Sequence, residues 1–319
     1  TLARVALAFA LIAAAFVPLF VRWCELELSP EATIFNRCWI AAVMLGSWQG
    51  GRSLWARWGR SNQSAPVASP LMASPAAAES ETSAAVEPPI PYLTWGITVV
   101  AFVAMPVVWA WSLTQTSVAN SALLHNLSPL FTTLAAWLVF RTQVDRRFLT
   151  GAALAIGGTV VLGWNDIQLD PQKIQGDALA LLSAVIFAVQ LMGAERLQAN
   201  AQTDSFRIIF WASITGIVLL LPLTLGLGDR LLPVSGSGWL AVIGLAVTGQ
   251  LLAYGLIAYS LRRISASVVA LAFLLDPVLT AIAAWFAFGE TLSLGNIAAF
   301  AIVLVGVYLG LTAKPAPVK

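Results

Sequence analysis

Long apolar segments alternate with short polar connections along almost the whole chain. A helix that crosses the hydrocarbon core of a bilayer needs about 20 predominantly apolar residues. Segments nearer 17 residues also suffice if flanking side chains snorkel to the interface. The pattern predicts ten transmembrane helices, over Val5–Trp23, Ala32–Trp48, Leu93–Trp111, Val118–Phe140, Phe148–Trp164, Asp177–Ala194, Ile208–Leu227, Trp239–Leu261, Ser265–Gly289 and Leu294–Leu311.

The composition supports this all-α, multi-pass membrane fold. Of the 319 residues, 59% are hydrophobic and 10% are charged, whereas a soluble domain has about 45–50% apolar and about 25% charged residues. The net charge of +2 gives no basic surface for nucleic acid. Two cysteines, Cys24 and Cys38, are too few for a disulfide framework or a thiolate metal site. We therefore expect a protein embedded in a lipid bilayer, with no metal, no cofactor and no nucleic-acid partner.

The positions of Lys and Arg predict the orientation of the chain. Cytoplasmic loops of membrane proteins carry an excess of these residues. With ten spans, 13 of them fall at one side of the membrane, three fall at the other side, and Arg37 lies within the second span. The pattern predicts that both termini are cytoplasmic, in a plasma (inner) membrane.

One connection is much longer than the others. It runs from Gln49 to Tyr92 on the predicted cytoplasmic side, and its part from Ser61 to Pro89 consists almost entirely of Ala, Ser, Pro, Glu and Thr. Such a composition buries too little apolar surface to offset the entropy of ordering, so we expect a disordered linker. The predicted domains are residues 1–164, which include this insertion at about 50–92, and residues 165–319.

The two domains share an internal repeat. A shift of 148 positions matches nine of the 19 residues of Ala122–Phe140 to the ninth span, including Pro129 with Pro277 and Trp137 with Trp285. A unit of five spans is odd, so its second copy starts from the opposite side of the membrane. The sequence therefore predicts two inverted five-helix repeats, an architecture of secondary transporters whose substrate site lies near the midplane between the halves.

Several motifs resemble those of a known family. They are Pro30 followed by Arg37, the stretch SALLHNLSPLFTTLAAW at Ser121–Trp137, and VVALAFLLDPVLTAIAAW at Val268–Trp285. The chain resembles the EamA-type transporters of the drug/metabolite transporter superfamily over both halves, outside the insertion. The resemblance implies a bundle of ten helices that moves small metabolites, amino acids or drugs, often outward.

Two titratable side chains lie within broken helices of the predicted bundle. Asp276 directly precedes Pro277, and His125 lies four residues before Pro129. A proline frees the carbonyl four residues before it, here those of His125 and Phe273. Interrupted helices at matching positions of two repeats are a pointer to a transporter's site. We interpret Asp276 and His125 as parts of a substrate or proton pathway, with helix kinks made only for packing as the alternative.

Arg37 allows two interpretations. Its guanidinium suits the carboxylate or phosphate of a substrate. Alternatively, Arg37 snorkels outward to the acidic residues Glu25, Glu27 and Glu31. The sequence favours the structural interpretation.

Further polar residues lie on neighbouring spans. Gln250 and Tyr254 share one face of the eighth span, Gln190 lies in the sixth and Asn126 in the fourth. They either line a polar cavity or form hydrogen bonds between helices. The 13 tryptophans, including Trp109, are expected mostly at the membrane interfaces.

A glycine pair lies on the tenth span. Gly306 and Gly310 form a GxxxG motif, for which packing against the fifth span is favoured over a homodimer seam.

These features favour a secondary transporter for a small solute, with export as the expected direction. The alternative is a membrane protein that does not transport, either an intramembrane enzyme or a scaffold. His125, Ser128 and Asp276 contain the residue types of a hydrolytic triad, but they follow no catalytic signature, and no HExxH motif or Walker loop is present. We therefore expect no catalytic residue.

Overall fold

The computed structural model describes residues 2–61, 92–116, 118–140, 145–163, 173–199, 204–279, 282 and 294–312. In this part of the chain the ordered elements are helices. They are α1 Leu2–Ala15, α2 Val17–Cys24, α3 Pro30–Ser61, α4 Tyr92–Gln115, α5 Val118–His125, α6 Ser128–Phe140, α7 Arg146–Gly163, α8 Ile174–Ala199, α9 Ser205–Leu227, α10 Gly236–Leu245, a π-helix Ala246–Ala253, α11 Tyr254–Ser260, α12 Ala266–Ala272, a 3-10 helix Phe273–Leu275 and α13 Leu294–Leu311.

Helices occur at all ten predicted spans. Within the described ranges, five helical stretches are long and apolar enough by themselves to cross a membrane: Leu2–Cys24, Tyr92–Gln115, Ile174–Ala199, Ser205–Leu227 and Gly236–Ser260. Shorter apolar helices lie at Ala266–Leu279 and Ile297–Leu311. α3 continues to Ser61, well beyond the predicted end of the second span at Trp48. The rest of the predicted linker, 62–91, lies outside the described residues.

Some helix ends follow from local capping chemistry. Asp204 precedes α9 and its carboxylate accepts a hydrogen bond from the Phe206 N–H. Ser235 precedes α10 and its hydroxyl accepts one from the Gly238 N–H at 2.9 Å. At the other end of α9, Gly228 has a φ of 74°, a left-handed conformation that glycine adopts without steric cost. These caps satisfy backbone groups that a helix end leaves without partners.

Two spans are interrupted at matching positions of the repeat. In the fourth span, α5 ends at His125, residues 126–127 form a turn, and α6 begins at Ser128. In the ninth span, α12 ends at Ala272, the 3-10 helix follows, and the α-helix resumes at Asp276. Each interruption lies directly before a proline, which cannot donate the next helical hydrogen bond. His125 and Asp276 therefore lie at breaks in the middle of their spans.

The packing of the helices follows the two-fold repeat. Span three (α4) packs against span six (α8), and span eight (the π-helix and α11) packs against span one (α1). Spans three and six of the first pairing correspond in the repeat to spans eight and one of the second, so the two pairings are equivalent. Spans two and seven (α3 with α9), four and nine (α6 with α12), and five and ten (α7 with α13) pair with their own counterparts. The halves therefore interlock, and the largest buried apolar cluster, which includes Phe102, Leu191, Ile209 and Ile257, contains residues of both.

The seam between α7 and α13 is a close contact of two helix backbones. A Cβ atom added to Gly306 would lie 2.4 Å from the Ala155 nitrogen, and one added to Gly151 would lie 2.5 Å from the Gly306 oxygen. Small residues permit such an approach of two backbones. The GxxxG pair of Gly306 and Gly310 thus packs against the fifth span of the same chain, the favoured interpretation of this motif.

Contacts between loops agree with ten alternating spans. The Val234 N–H, in the connection before the eighth span, donates a hydrogen bond to Glu27 in the connection after the first span at 2.9 Å. Thr116, after α4, donates to Asp177, near the start of α8, at 2.6 Å. Both contacts join connections that the alternation places on one side of the membrane.

Candidate functional site

A cavity of about 150 Å³ lies between the two halves of the bundle. α1, α2, α3, α4 and the α5–α6 break contribute to its wall from the first half. α8, α10, the π-helix, α11 and the 3-10 break contribute from the second half. Most of the wall is apolar, and Glu25, Arg37, His125 and Asp276 are its ionisable groups apart from Tyr254. The cavity therefore has the composition of a small-molecule site, with few polar groups in an apolar wall.

The lining repeats with the register of the sequence. Five pairs of residues separated by 148 positions face the cavity from both halves: Met105 with Ala253, Pro106 with Tyr254, Trp109 with Ile257, His125 with Phe273, and Ser128 with Asp276. Equivalent positions of two repeats meet where the pseudo-two-fold axis passes. The cavity therefore lies on this axis, where the sites of repeat-built transporters lie.

Asp276 contributes a carboxyl group to the cavity wall. It occupies the first position after the 3-10 helix. Its Oδ1 atom is buried and has no hydrogen-bond partner among the described residues. Its counterpart in the first half is Ser128, which is also buried. The cavity thus holds a titratable group on one half and a neutral hydroxyl on the other.

His125 lies at the end of α5 with a defined ring orientation. Its Nδ1 atom is 2.8 Å from the Ser183 hydroxyl, and that hydroxyl donates its proton to the Ala180 carbonyl at 2.6 Å. Since a hydroxyl has one proton to donate, Nδ1 of His125 is the donor to Ser183. The hydrogen bond of His125 therefore leads to Ser183 and not to Ser128 or Asp276, so these residue types do not form a hydrolytic triad.

Arg37 is buried in the cavity wall and does not snorkel outward. Its side chain is 5% exposed, and its guanidinium carbon lies 5.4 Å from the centre of the Tyr254 ring. The Nε and Nη2 atoms have no hydrogen-bond partner in the described part of the chain. Glu27 accepts a hydrogen bond from the Ser235 N–H, and Glu31 accepts one from the Trp111 indole. The favoured interpretation of Arg37 as a partner of these acidic residues is therefore wrong.

The predicted amides occupy different positions around the cavity. Asn126 lies in the α5–α6 turn and lines the cavity. Gln250 lies in the π-helix behind the wall, where its Nε2 donates to the Ser213 hydroxyl at 3.2 Å. Gln190 is fully buried in α8, and neither atom of its carboxamide has a hydrogen bond to the described residues. The π-helix itself is a rare element that is frequent at functional sites.

Trp109 lines the cavity, although the sequence indicated an interfacial position for most tryptophans. Its ring centre lies 6.1 Å from that of His125, and the ring centres of His125 and Phe187 are 5.5 Å apart. The Trp109 Nε1 atom is buried without a hydrogen-bond partner in the described residues. The sequence contained a signal for this position. A shift of 148 residues matches Trp109 to Ile257 in the eighth span, which also carries the predicted site residue Tyr254.

The cavity extends toward one end of the bundle. Glu25 and Pro30, at the connection between α2 and α3, belong to its lining. At the opposite end, Arg262 donates to Gln198 at 2.7 Å and lies 3.8 Å from Asp204. Arg262, Gln198 and Asp204 do not line the cavity. This cluster joins the ends of spans six, seven and eight.

Comparison with known proteins identifies the family. The model of the EamA-like transporter family matches residues 2–164 and again residues 174–312, one match in each half. Two curated proteins of Archaeoglobus fulgidus, each described as an uncharacterized transporter, are similar. One is 25% identical over 61% of this chain and 67% of its own length, and the other is 26% identical over 62% and 68%.

A solved crystal structure of a protein shares the fold. It covers 96% of this chain and 95% of its own, with a TM-score of 0.73 at 16% identity. The two family matches account for both halves of the helical bundle and for the repeat between them. This all-α, multi-pass membrane protein therefore belongs to the EamA-like transporter family.

Proposed function

We propose that the protein is a secondary transporter that exports a small solute through the cavity between its halves. It lies in the plasma (inner) membrane with both termini in the cytoplasm, the orientation that the Lys and Arg distribution favours. The observation that carries the proposal is the cavity on the pseudo-two-fold axis, lined by equivalent positions of the two repeats. Two interlocked repeats around one site are the basis of alternating access.

Asp276 is the proposed proton carrier of the cycle. An aspartate at the bilayer centre costs about 2.5–3.5 kcal/mol on insertion scales, and the first half places a serine at the matching position. Asp276 lines the cavity, and its Oδ1 atom has no hydrogen-bond partner among the described residues, which supports a carboxyl that exchanges a proton with the cavity. His125 has one ring nitrogen engaged with Ser183, and its Nε2 shares this task.

The end of the bundle that the cavity reaches assigns this conformation to one state of the proposed cycle. The cavity reaches Glu25 and Pro30, in the connection that the charge distribution places outside. Arg262, Gln198 and Asp204 join helices at the predicted cytoplasmic end. This conformation corresponds to an outward-open state in the proposed cycle.

Transport in reconstituted vesicles tests the proposal. Purified protein is reconstituted into liposomes loaded with a low-molecular-weight cell extract, and solutes released across a pH gradient are identified by mass spectrometry against protein-free liposomes. We expect selective release of one solute or a chemically related set. Release identical to that of protein-free liposomes under both gradient directions would contradict the transporter function.

The variant Asp276→Asn tests the proton carrier. It keeps the shape of the side chain and removes its titration, so we expect normal membrane insertion with transport that is lost or insensitive to pH. His125→Gln should give a weaker form of the same defect. Asp229→Asn, in the connection after α9, is the matched control and should transport like the wild type. Wild-type rate and pH dependence in Asp276→Asn would show that Asp276 serves packing only.

A further inference from the structure

The guanidinium of Arg37 is a buried charge that forms no ion pair with the described residues. The side chain is 5% exposed, and two of its three nitrogens, Nε and Nη2, have no hydrogen-bond partner there. A buried charge without a partner is costly, and a buried guanidinium is normally paired with an anion. The position of Arg37 in the cavity wall indicates that its partner enters through the cavity.

The acidic residues of the protein do not supply this partner. No ion pair between described residues involves Arg37, and the pair of Arg262 with Asp204 lies at the other end of the bundle. Glu25 and Asp276 line the same cavity as Arg37 but form no ion pair with it. Arg37 also interacts with the side chains of Tyr254 and Cys38, and its Nε and Nη2 atoms are the two nitrogens left for a ligand.

The surroundings of Arg37 restrict the ligand's chemistry. Apart from the ionisable groups and Asn126, the wall is mostly apolar and includes Met105, Phe187 and Ile257. The cavity volume is about 150 Å³, and an engineered apolar cavity of about 150 Å³ holds one benzene molecule. The site therefore suits a compact apolar body that carries one small anionic group.

We propose that Arg37 is an anion subsite and that the ligand of this cavity is a small organic carboxylate. The carboxylate accepts hydrogen bonds from Nε and Nη2, which a guanidinium presents side by side as a planar fork. The apolar body of the ligand lies against the wall between Phe187 and Ile257. That this ligand is also the transported solute rests on the proposed function, whereas its binding at Arg37 does not.

Binding of benzoate to the purified full-length protein tests the subsite. Benzamide is the neutral probe of nearly equal shape, and both are titrated at constant ionic strength while the intrinsic tryptophan fluorescence is followed, since Trp109 lies in the cavity wall. We expect saturable binding of benzoate and at least about tenfold weaker binding of benzamide, the factor expected when a hydrogen bond to a charged group is lost. Equal affinity for both probes, or no saturable benzoate binding, would overturn the proposal without any variant.

Variants of Arg37 locate the binding. Arg37→Gln should bind benzoate no better than benzamide, and Arg37→Lys, which keeps the charge but lacks the fork, should give an intermediate preference. Arg230→Gln removes an exposed arginine outside the cavity and should leave the preference unchanged. A wild-type preference for benzoate in a folded Arg37→Gln protein would place the anion site elsewhere and refute the assignment. Inorganic phosphate is added as a competitor, and phosphate that displaces benzoate at equal concentration would refute selectivity for carboxylates.

The binding result and the transport result can fail separately. If the vesicles release only neutral or cationic solutes, the transporter function stands and the carboxylate subsite is refuted as the substrate site. If benzoate binds through Arg37 while the vesicles release no solute, the subsite stands and the transporter function is refuted.

Discussion

Alanine in place of Gly306 puts a methyl group into the close backbone contact between α13 and α7. The added Cβ would lie 2.4 Å from the Ala155 nitrogen and 2.7 Å from the Gly151 oxygen. Both are backbone atoms, so no side-chain rotation relieves the overlap. Carbon atoms are in favourable contact with their neighbours at about 3.5–4.0 Å, and α13 must therefore move away from α7 by about 1 Å.

The magnitude follows from overpacking and helix propensity. Extra methyl groups in a well-packed core destabilise a fold by about 1–3 kcal/mol. Replacing a helical glycine by alanine stabilises the helix by about 0.5–1 kcal/mol. We expect Gly306→Ala to lower the free energy of unfolding by up to about 2.5 kcal/mol, the overpacking cost less the gain in helix propensity. Unfolding in mixed micelles, driven by increasing SDS and followed by tryptophan fluorescence, measures this difference.

Gly157→Ala is the matched control, because it lies on α7 and an added Cβ there meets no atom within 4 Å. It should be as stable as the wild type or slightly more stable. If Gly306→Ala matches the stability of Gly157→Ala, the backbone contact between α7 and α13 does not limit the packing of this seam, and the reasoning is refuted.

Two further predictions concern the connections outside the membrane. The pKa of Glu27 is held below its ordinary value by hydrogen bonds from the Ser235 hydroxyl and from backbone N–H groups. Ionised Glu27 thus stabilises the fold above its unfolded pKa, about 4.3, and this stabilisation is lost as the pH falls through the lower folded pKa. The wild type should therefore have a higher Tm than Glu27→Gln at neutral pH, and the two Tm values should converge in acid. A Tm difference that persists in acid would contradict this linkage. Single cysteines at Asp229 and Ser265, with the native cysteines replaced, should react with a membrane-impermeant reagent from opposite sides, the first from outside; reaction of both from one side would contradict the ten-span alternation.

The sequence alone determined the fold class, because the cost of exposing backbone polar groups to lipid leaves few solutions for long apolar segments. The ten spans, the repeat between the fourth and ninth spans and the positions of the helix breaks are local properties. They depend on segment length, side-chain polarity and the missing N–H of Pro129 and Pro277. The packing of Gly306 on the fifth span followed from the absence of a side chain. The spans and the helix breaks are encoded within a few turns of one helix, and the repeat is encoded in the match between two segments of the chain.

Only the tertiary structure decided which side chains meet. The rotation of α3 and α4 about their own axes places Arg37 and Trp109 in the cavity wall, and no property of either helix alone fixes that rotation. Arg37 is buried beside Tyr254, more than 200 residues away in the chain, while Glu27 is engaged by Ser235 from an equally distant connection. Such contacts depend on how all ten helices pack together. The sequence indicates them only where the internal repeat relates a position in one half to a position in the other.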